Sequence, residues 1–248
     1  MLRGMKRETV LALNALNQAF YAGIAPEWTE SRRAAWPGFA RTYELSSQPR
    51  RVLDVGAGDG RFGAWLETHA SPPIERYVGL DASPRLLTHA RARELGARFH
   101  FEQLDFIAED TALPEGPFDL VVLLGVLHHV PSFAARAHLL ERLSQLLAAG
   151  GTLALTLWRL DRDPRFRRRL RSFADYNAHA AQPIPEADLE PGDHLLGWGE
   201  AGPPRYCHFP DDRETEALIA CARWPVHARF HADGRGGALN EYVLLRRR

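Results

Sequence analysis

The sequence predicts an α/β fold: a mostly parallel sheet of seven strands flanked by helices, closed by an antiparallel hairpin. Three observations carry this. Short apolar strands alternate with helix-period segments between residues 51 and 158, which argues a parallel sheet with right-handed crossovers. The first strand, with Val52, Leu53 and Val55, runs straight into Gly56, Gly58 and Gly60 and then into a helix. That is the turn at which a backbone comes close to a bound nucleotide. Residues 225–231 and 239–245 read as two closing strands joined by a glycine-rich turn over 233–237.

Length and composition set the frame. The chain has 248 residues, 45% hydrophobic and 25% charged, which suits one α/β domain with a sizeable core. Formal net charge is zero, so the whole-molecule field gives no argument for a polyanionic partner. Lys6 is the only lysine, and arginine is the better bidentate phosphate ligand. Cys207 and Cys221 form neither a metal-ligand spacing nor a disulfide framework, which points to a reducing cytoplasm. No apolar run has membrane-spanning length, and the start lacks a signal-peptide core.

Taken in order, residues 9–22 have helical spacing, with Val10, Leu13, Leu16, Asn17 and Phe20 on one face. Tyr21, Trp28, Arg32 and Trp36 then precede the first strand. They read either as a helical pair packed on the sheet edge or as a lid over a ligand. A helix over 39–45 ends at residues 46–49. After the glycine turn a helix runs to about residue 70, where Ser71-Pro72-Pro73 stops it. The second strand, 77–81, ends in Asp81, an acid able to accept from both ribose hydroxyls. Ser83 and Pro84 read as N-cap and first helical residue, with Leu86, Leu87 and Ala90 inward. A third strand ends with Asp105, a candidate acceptor for an adenine amino group, and 108–117 is an acidic, solvated loop. The fourth strand, 118–124, leads into Gly125 to Val130. A leucine stripe marks a helix over 137–147, which Gly150 and Gly151 are expected to end before a fifth strand over 152–158.

Residues 159–204 show little strand character. Seven arginines between 159 and 171 read as a solvated, self-paired helix or as a phosphate-contacting arm. A segment this long outside a core suits a substrate lid. Residues 192–199 read as an ordered loop and 211–222 as a helix with Leu218 and Ile219 inward. The basic tail, 246–248, is solvated.

The stretches VLDVGAGDG, GLD, LDF, FDLVVLLGVLHHV and GGTLALTLW, in that order, resemble a class I S-adenosylmethionine-dependent methyltransferase. A dinucleotide enzyme would carry a third glycine where Arg61 stands. The resemblance implies a Rossmann-like sheet, with S-adenosyl-L-methionine as cofactor and S-adenosyl-L-homocysteine as product. It implies that Asp54, Gly56, Ala57 and Gly58 meet the amino-acid part and sugar, and that Asp81 and Ala82 hold the ribose. Asp105 and Phe106 would meet the adenine, and Leu124 and Gly125 would lie beneath the sulfur. Tyr21 and Arg32 would face the carboxylate of the methionine end.

A narrower resemblance concerns the tRNA methyltransferases that esterify a carboxymethyl group on wobble uridine. Their tyrosine, IAP-like turn, arginine and WP pair fall on Tyr21, Ile24-Ala25-Pro26, Arg32 and Trp36-Pro37. GVLHHV is similar to their IHH segment, and their RYYH segment matches Arg205, Tyr206 and His208. Cys207 departs from that pattern, as do the 159–204 insertion and the neutral net charge. Eukaryotic members of that family work with a small partner protein, which this sequence neither identifies nor excludes.

The expected organisation is a helical lid over 1–50 and a core over 51–248, with 159–209 as a substrate-side insertion. An acceptor carboxylate is already ionised and needs only donors, which Arg32, Arg205, His128 or His208 could supply. A hydroxyl or amine acceptor needs a base, for which His128 or His129 is the candidate. One histidine of the pair should face the site, and His128 is the choice made on sequence. No metal is called for. The acceptor is tRNA or a small carboxylic acid or amine, with no membrane involved. A cofactor-binding partner protein without turnover is the reading from another class.

Overall fold

The computed structural model describes residues 4–31, 34–107, 111–158, 164–199, 202–234 and 236–248. Two helices precede the sheet, α1 (Arg7–Glu30) and α2 (Pro37–Leu45). Helix α1 is continuous through Ile24-Ala25-Pro26, where the sequence suggested a turn. Pro26 has no N–H for the carbonyl of Ala22, four residues back. That carbonyl is not orphaned, because Arg85 Nη1 donates to it at 2.8 Å.

The sheet is built from β1 (Arg51–Val55), β2 (Arg76–Asp81), β3 (Phe99–Gln103), β4 (Phe118–Leu123) and β5 (Leu147–Trp158). Helices α3 (Arg61–His69), α4 (Pro84–Arg91) and α5 (Phe133–Gln145) lie between them. The strand order is β3-β2-β1-β4-β5-β10-β9, with β9 (Val226–Ala232) and β10 (Asn240–Arg246) added antiparallel at one edge. Pairs within β3 to β5 are parallel. The Rossmann-like sheet with its closing hairpin is thus present as the sequence predicts.

Side chains alternate across the pleat, so each strand feeds two cores. Leu53, Val55, Val121, Leu123, Leu153, Leu155, Val243 and Leu245 pack on one face, against Leu139, Leu140 and Leu143 of α5 and Leu218 of α8 (Asp212–Cys221). Val52, Leu120, Val122, Ala154, Tyr242 and Leu244 pack on the other, against Phe39 and Tyr43 of α2 and Phe62 and Leu66 of α3. Ser83 caps α4 as expected, its hydroxyl accepting from the Leu86 N–H at 3.3 Å.

Three boundaries differ from the sequence reading. Helix α5 starts at Phe133 behind the capping hydroxyl of Ser132 and stops at Gln145. Gly150 and Gly151 do not end it; they lie inside β5, where the register against β4 shifts. Gly150 takes φ +74° there, and backbone bonds from Gly150 and to Gly151 tie the irregular stretch to Arg247. Strand β3 ends at Gln103, its last pairing partner being Asp81, so Asp105 hangs two residues beyond the strand end.

The larger correction concerns the insertion. Its described part contains a second, antiparallel sheet of β6 (Leu170–Arg171), β7 (Asp193–Gly197) and β8 (Pro204–His208), with short helices α6 (Pro164–Arg167) and α7 (Phe173–Asn177). Residues 192–199, read as a loop, contain β7. Strand β8 lies against α1 and against the turn after β4 on one side. Leu195, Leu196 and all but the first residue of β8 are therefore buried, which erases the polar alternation that marks a surface strand. Residues 159–163, the start of the arginine-rich run, lie outside the described residues.

Candidate functional site

The turn after β1 is a cradle that only glycine can form. Gly56, Gly58 and Gly60 have φ of +79°, +58° and +76°. A Cβ on Gly56 would stand 2.2 Å from Val126 Cγ2, and one on Gly58 would stand 3.3 Å from the Trp28 ring. Backbone N–H groups of Gly56 and Ala57 donate to the Leu80 carbonyl at 2.7 and 2.9 Å, which locks the turn to the end of β2. There Asp81 accepts from Gly58 N–H and Ser83 N–H, each at 2.8 Å. Desolvation pushes the Asp81 carboxyl up to about 6, against the pull of those two N–H groups. Burial pushes Asp54 further, to about 7, although the Tyr77 hydroxyl donates to it at 2.5 Å.

Above this turn lies a cavity with about 990 Å³ of empty space, counted out to its mouth. It sits at the carboxyl ends of the strands, where the order reverses between β1 and β4, the usual ligand crevice of such sheets. Tyr21, Asp54, Gly56, Ala57, Gly58, Asp81, Ala82, Phe106, Leu124 and Gly125 all line it. Asp105 does not. Its carboxylate accepts from Asn14 Nδ2 at 2.8 Å and Gln18 Nε2 at 2.9 Å, two amides of α1 that do line the cavity. Arg32 lies outside the described residues.

The histidine pair resolves opposite to the sequence choice. A single 3₁₀ turn, Leu127–His129, swings the two rings apart. His128 stacks on Trp158 with ring centroids 3.5 Å apart and stands off the cavity wall. His129 lines the cavity, with its Nε2 2.7 Å from the Tyr21 hydroxyl and its Nδ1 2.9 Å from the Tyr206 carbonyl. Arg205, only 4% exposed, sits behind the wall over the rings of Phe20 and Trp158. His208 is on the opposite face of β8. Its Nδ1 is 2.7 Å from Asp193 and its Nε2 2.9 Å from Glu214, so it ties the insertion to α8 rather than meeting the cavity. Period two along β8 separates Arg205 from His208.

Sequence reading named Tyr21 and Trp28 as part of a lid but gave the amides of α1 no place in the site. Asn14, Asn17, Tyr21 and Trp28 keep a helical spacing along one cavity-facing stripe, so the polar members of that stripe were the available signal. Arg61 was noted only as a departure from a glycine pattern. It lines the cavity between Trp28 and Trp36, 5.1 and 5.4 Å from the two ring centres, with Nε 3.0 Å from Asp59. Trp158, at the end of β5, lines the wall beside His129.

Two groups of described residues have donor atoms close enough for an ion: His128, His129 and Cys207, and Glu190, Asp193 and His208. In the first, His129 is already engaged at both ring nitrogens, Nε2 with the Tyr21 hydroxyl at 2.7 Å and Nδ1 with the Tyr206 carbonyl at 2.9 Å. In the second, Arg136 already reaches Glu190 at 2.6 Å and His208 already bonds Asp193. Neither is assigned as a metal site.

Comparison with known proteins follows the same lines. Residues 53–153 match the family described as methyltransferase domain. A trans-aconitate 2-methyltransferase from Methylobacterium nodulans is 39% identical over 109 residues, 44% of this chain and 38% of that one. A tRNA (carboxymethyluridine(34)-5-O)-methyltransferase from Macaca fascicularis is 25% identical over 146 residues, 58% of this chain and 20% of that one. The chain thus matches less than half the length of these curated relatives. The crystal structure of a Burkholderia thailandensis 1,6-didemethyltoxoflavin-N1-methyltransferase shares the fold with a TM-score of 0.64 at 18% identity, covering 96% of this chain and 90% of that one. The sheet order, the glycine cradle ending in Asp81 and the match agree that residues 53–153 carry a methyltransferase domain of the class I S-adenosylmethionine-dependent kind.

Proposed function

We propose that the chain transfers a methyl group from S-adenosylmethionine to an acceptor carboxylate, with the carboxymethyl group of a tRNA wobble uridine as first acceptor. The observation that carries the cofactor half is the cradle: three left-handed glycines whose Cβ atoms would intrude, opposite a carboxylate held open at the next strand end. When bound, the cofactor supplies an electrophilic methyl on a sulfonium. The chain's residues bind and align. The bare backbone at Gly56 and Gly58 admits close approach, and ionised Asp81 has lone pairs to spare for ribose hydroxyls. Trp28, Trp36, Phe39 and Trp158 supply apolar walls that exclude water, with residues 1–50 acting as the lid.

The acceptor half rests on chemistry shared by the two curated relatives, whose names both specify carboxylate-bearing acceptors. A carboxylate is ionised at neutral pH and asks only to be positioned. The aromatic walls favour a second reading, a small carboxylic acid held wholly inside the cavity. The test is transfer of labelled methyl from S-adenosylmethionine into bulk tRNA beside a small-metabolite extract. Label in tRNA released by alkali as methanol supports the first reading; label only in small molecules replaces it with the second. Tight S-adenosylhomocysteine binding with no transfer to either would leave a cofactor-binding partner protein.

A further inference from the structure

We propose that Asn14 of α1 reads the 6-amino group of the cofactor's adenine, and that Asp105 acts one step back by fixing which way round the Asn14 amide sits. This rests on the methyl-transfer reading and deepens it. It moves the base contact off Asp105, where the resemblance put it, and onto a helix outside the matched residues 53–153.

The place follows from the order of the strand ends. The glycine cradle follows β1, and Asp81, the acid suited to ribose hydroxyls, ends β2. A base on that ribose, turned away from the cradle, meets the end of β3, the next strand in the sheet. There the cavity is lined by Leu86, Phe106 and Ile107, which suit an aromatic ring, and by the amides of Asn14 and Gln18. Asp105 is not part of that wall. Its Oδ2 accepts from both amides, at 2.8 and 2.9 Å, and its Oδ1 accepts from the Ile107 N–H at 3.1 Å.

A carboxylate can only accept, so the Asn14 NH2 group must face Asp105 and Oδ1 must point elsewhere. Asn14 is 6% exposed, and among the described residues nothing donates to its Oδ1. That oxygen is not shut off from solvent, so its lone pairs are reachable from the cavity that Asn14 lines. An amide held this way presents an acceptor with an N–H beside it. Adenine presents the complement, an amino donor flanked by ring-nitrogen acceptors, which is why an Asn amide pairs with that edge. Hypoxanthine carries a carbonyl oxygen where adenine carries the amino group. Turning the Asn14 amide over to suit it would set Oδ1 against the Asp105 carboxylate, two acceptors with no proton between them. Gln18, one turn further along α1, holds the same oxygen of Asp105 but is exposed, so the buried Asn14 is the reader.

The test is a calorimetric comparison, on the full chain, of S-adenosylhomocysteine with S-inosylhomocysteine, its 6-oxo counterpart. The wild type should bind the adenosyl compound at least about ten-fold more tightly. Asn14→Leu should weaken the adenosyl compound and leave the inosyl compound within about two-fold, so that most of the preference disappears. A wild type that binds both compounds equally overturns the proposal and leaves the methyl-transfer reading standing. A preference unchanged in Asn14→Leu also overturns it and returns the base to Asp105. An equal loss for both compounds does the same and makes Asn14 only a brace of α1. Should that variant fold poorly, carbon NMR of the wild-type Asn14 side-chain carbonyl decides instead. Accepting a hydrogen bond should move that resonance downfield with the adenosyl compound and not with the inosyl one. No movement, or the same movement with both, overturns the proposal. Failure of S-adenosylhomocysteine to bind the wild type would count against the methyl-transfer reading and is read separately.

Discussion

Gly56 shows how one atom can be excluded from the site. Its φ of +79° costs an L-residue about 1–2 kcal/mol, and its Cβ would stand 2.2 Å from Val126 Cγ2. Gly56→Ala should therefore lower the urea midpoint by an amount equal to about 2–4 kcal/mol. Val126→Ala in that background should recover only the steric part. Asp81 makes a pH prediction at the same scale. Its carboxyl sits at about 6, and the ionised form is the one that accepts ribose hydroxyls. Calorimetric affinity for S-adenosylhomocysteine should fall as pH drops below about 6, by roughly ten-fold per unit once the group is mostly protonated. Asp81→Asn should bind weakly at every pH and lose that dependence; an unchanged affinity would remove Asp81 from the cofactor site.

At the scale of elements, α1 is the part that the local rules describe worst. Proline inside a helix costs about 3 kcal/mol, yet α1 passes through Pro26 and Arg85 of α4 takes up the freed Ala22 carbonyl. Pro26→Ala should raise stability by about 1–3 kcal/mol. Arg85→Ala should cost about 0.5–1 kcal/mol in the wild type and almost nothing with Pro26→Ala present, because the carbonyl then has its own helical donor. Additive denaturation midpoints in that double-mutant cycle would show that Arg85 is not the substitute partner. The same helix carries the polar stripe of the cavity, so its strain sits beside the site it covers.

On the scale of the molecule, a buried polar network fastens the insertion to the core. Arg136 reaches Glu190 at 2.6 Å and Glu214 at 2.7 Å, and His208 bridges Asp193 and Glu214. Burial opposes every charge in it. The hydrogen bonds nevertheless win, holding Asp193 and Glu214 below their ordinary values and His208 above its own. The acids contribute stability above 3.8 and 4.5, lost as pH falls through their lowered folded values. The histidine contributes fully below 6.5, lost as pH rises through its raised one. The network is therefore fully effective between about pH 4.5 and 6.5. Asp54, pushed up to about 7, and Asp81, pushed up to about 6, slope the other way: what they contribute is full below 3.8 and is lost across that same window as pH rises to those values. Thermal midpoints should therefore peak toward the acid end of that window, and His208→Gln should lower the peak and flatten the further loss above 6.5. A profile of unchanged shape in that variant would exclude His208 as the source.

Local pattern determined the parallel sheet, its closing hairpin, the glycine cradle and Asp81, because each is written in consecutive residues: apolar runs, punctuating glycines, an acid at a strand end. Most of the proposed cofactor wall followed from those same strand ends. Tertiary structure decided the rest. Which of His128 and His129 faces the cavity depends on the rotation of one 3₁₀ turn and on Trp158, thirty residues downstream, taking the other ring. Whether β6 to β8 form a sheet depends on α1 and the β4 turn covering them, which removes the alternation that a strand shows when one face is wet. Arg205 and His208, adjacent to one another in motif, were parted by the period of a strand. Interactions between residues far apart in the chain leave no local periodicity, and the first two were set by such interactions; the third followed once β8 was known to be a strand.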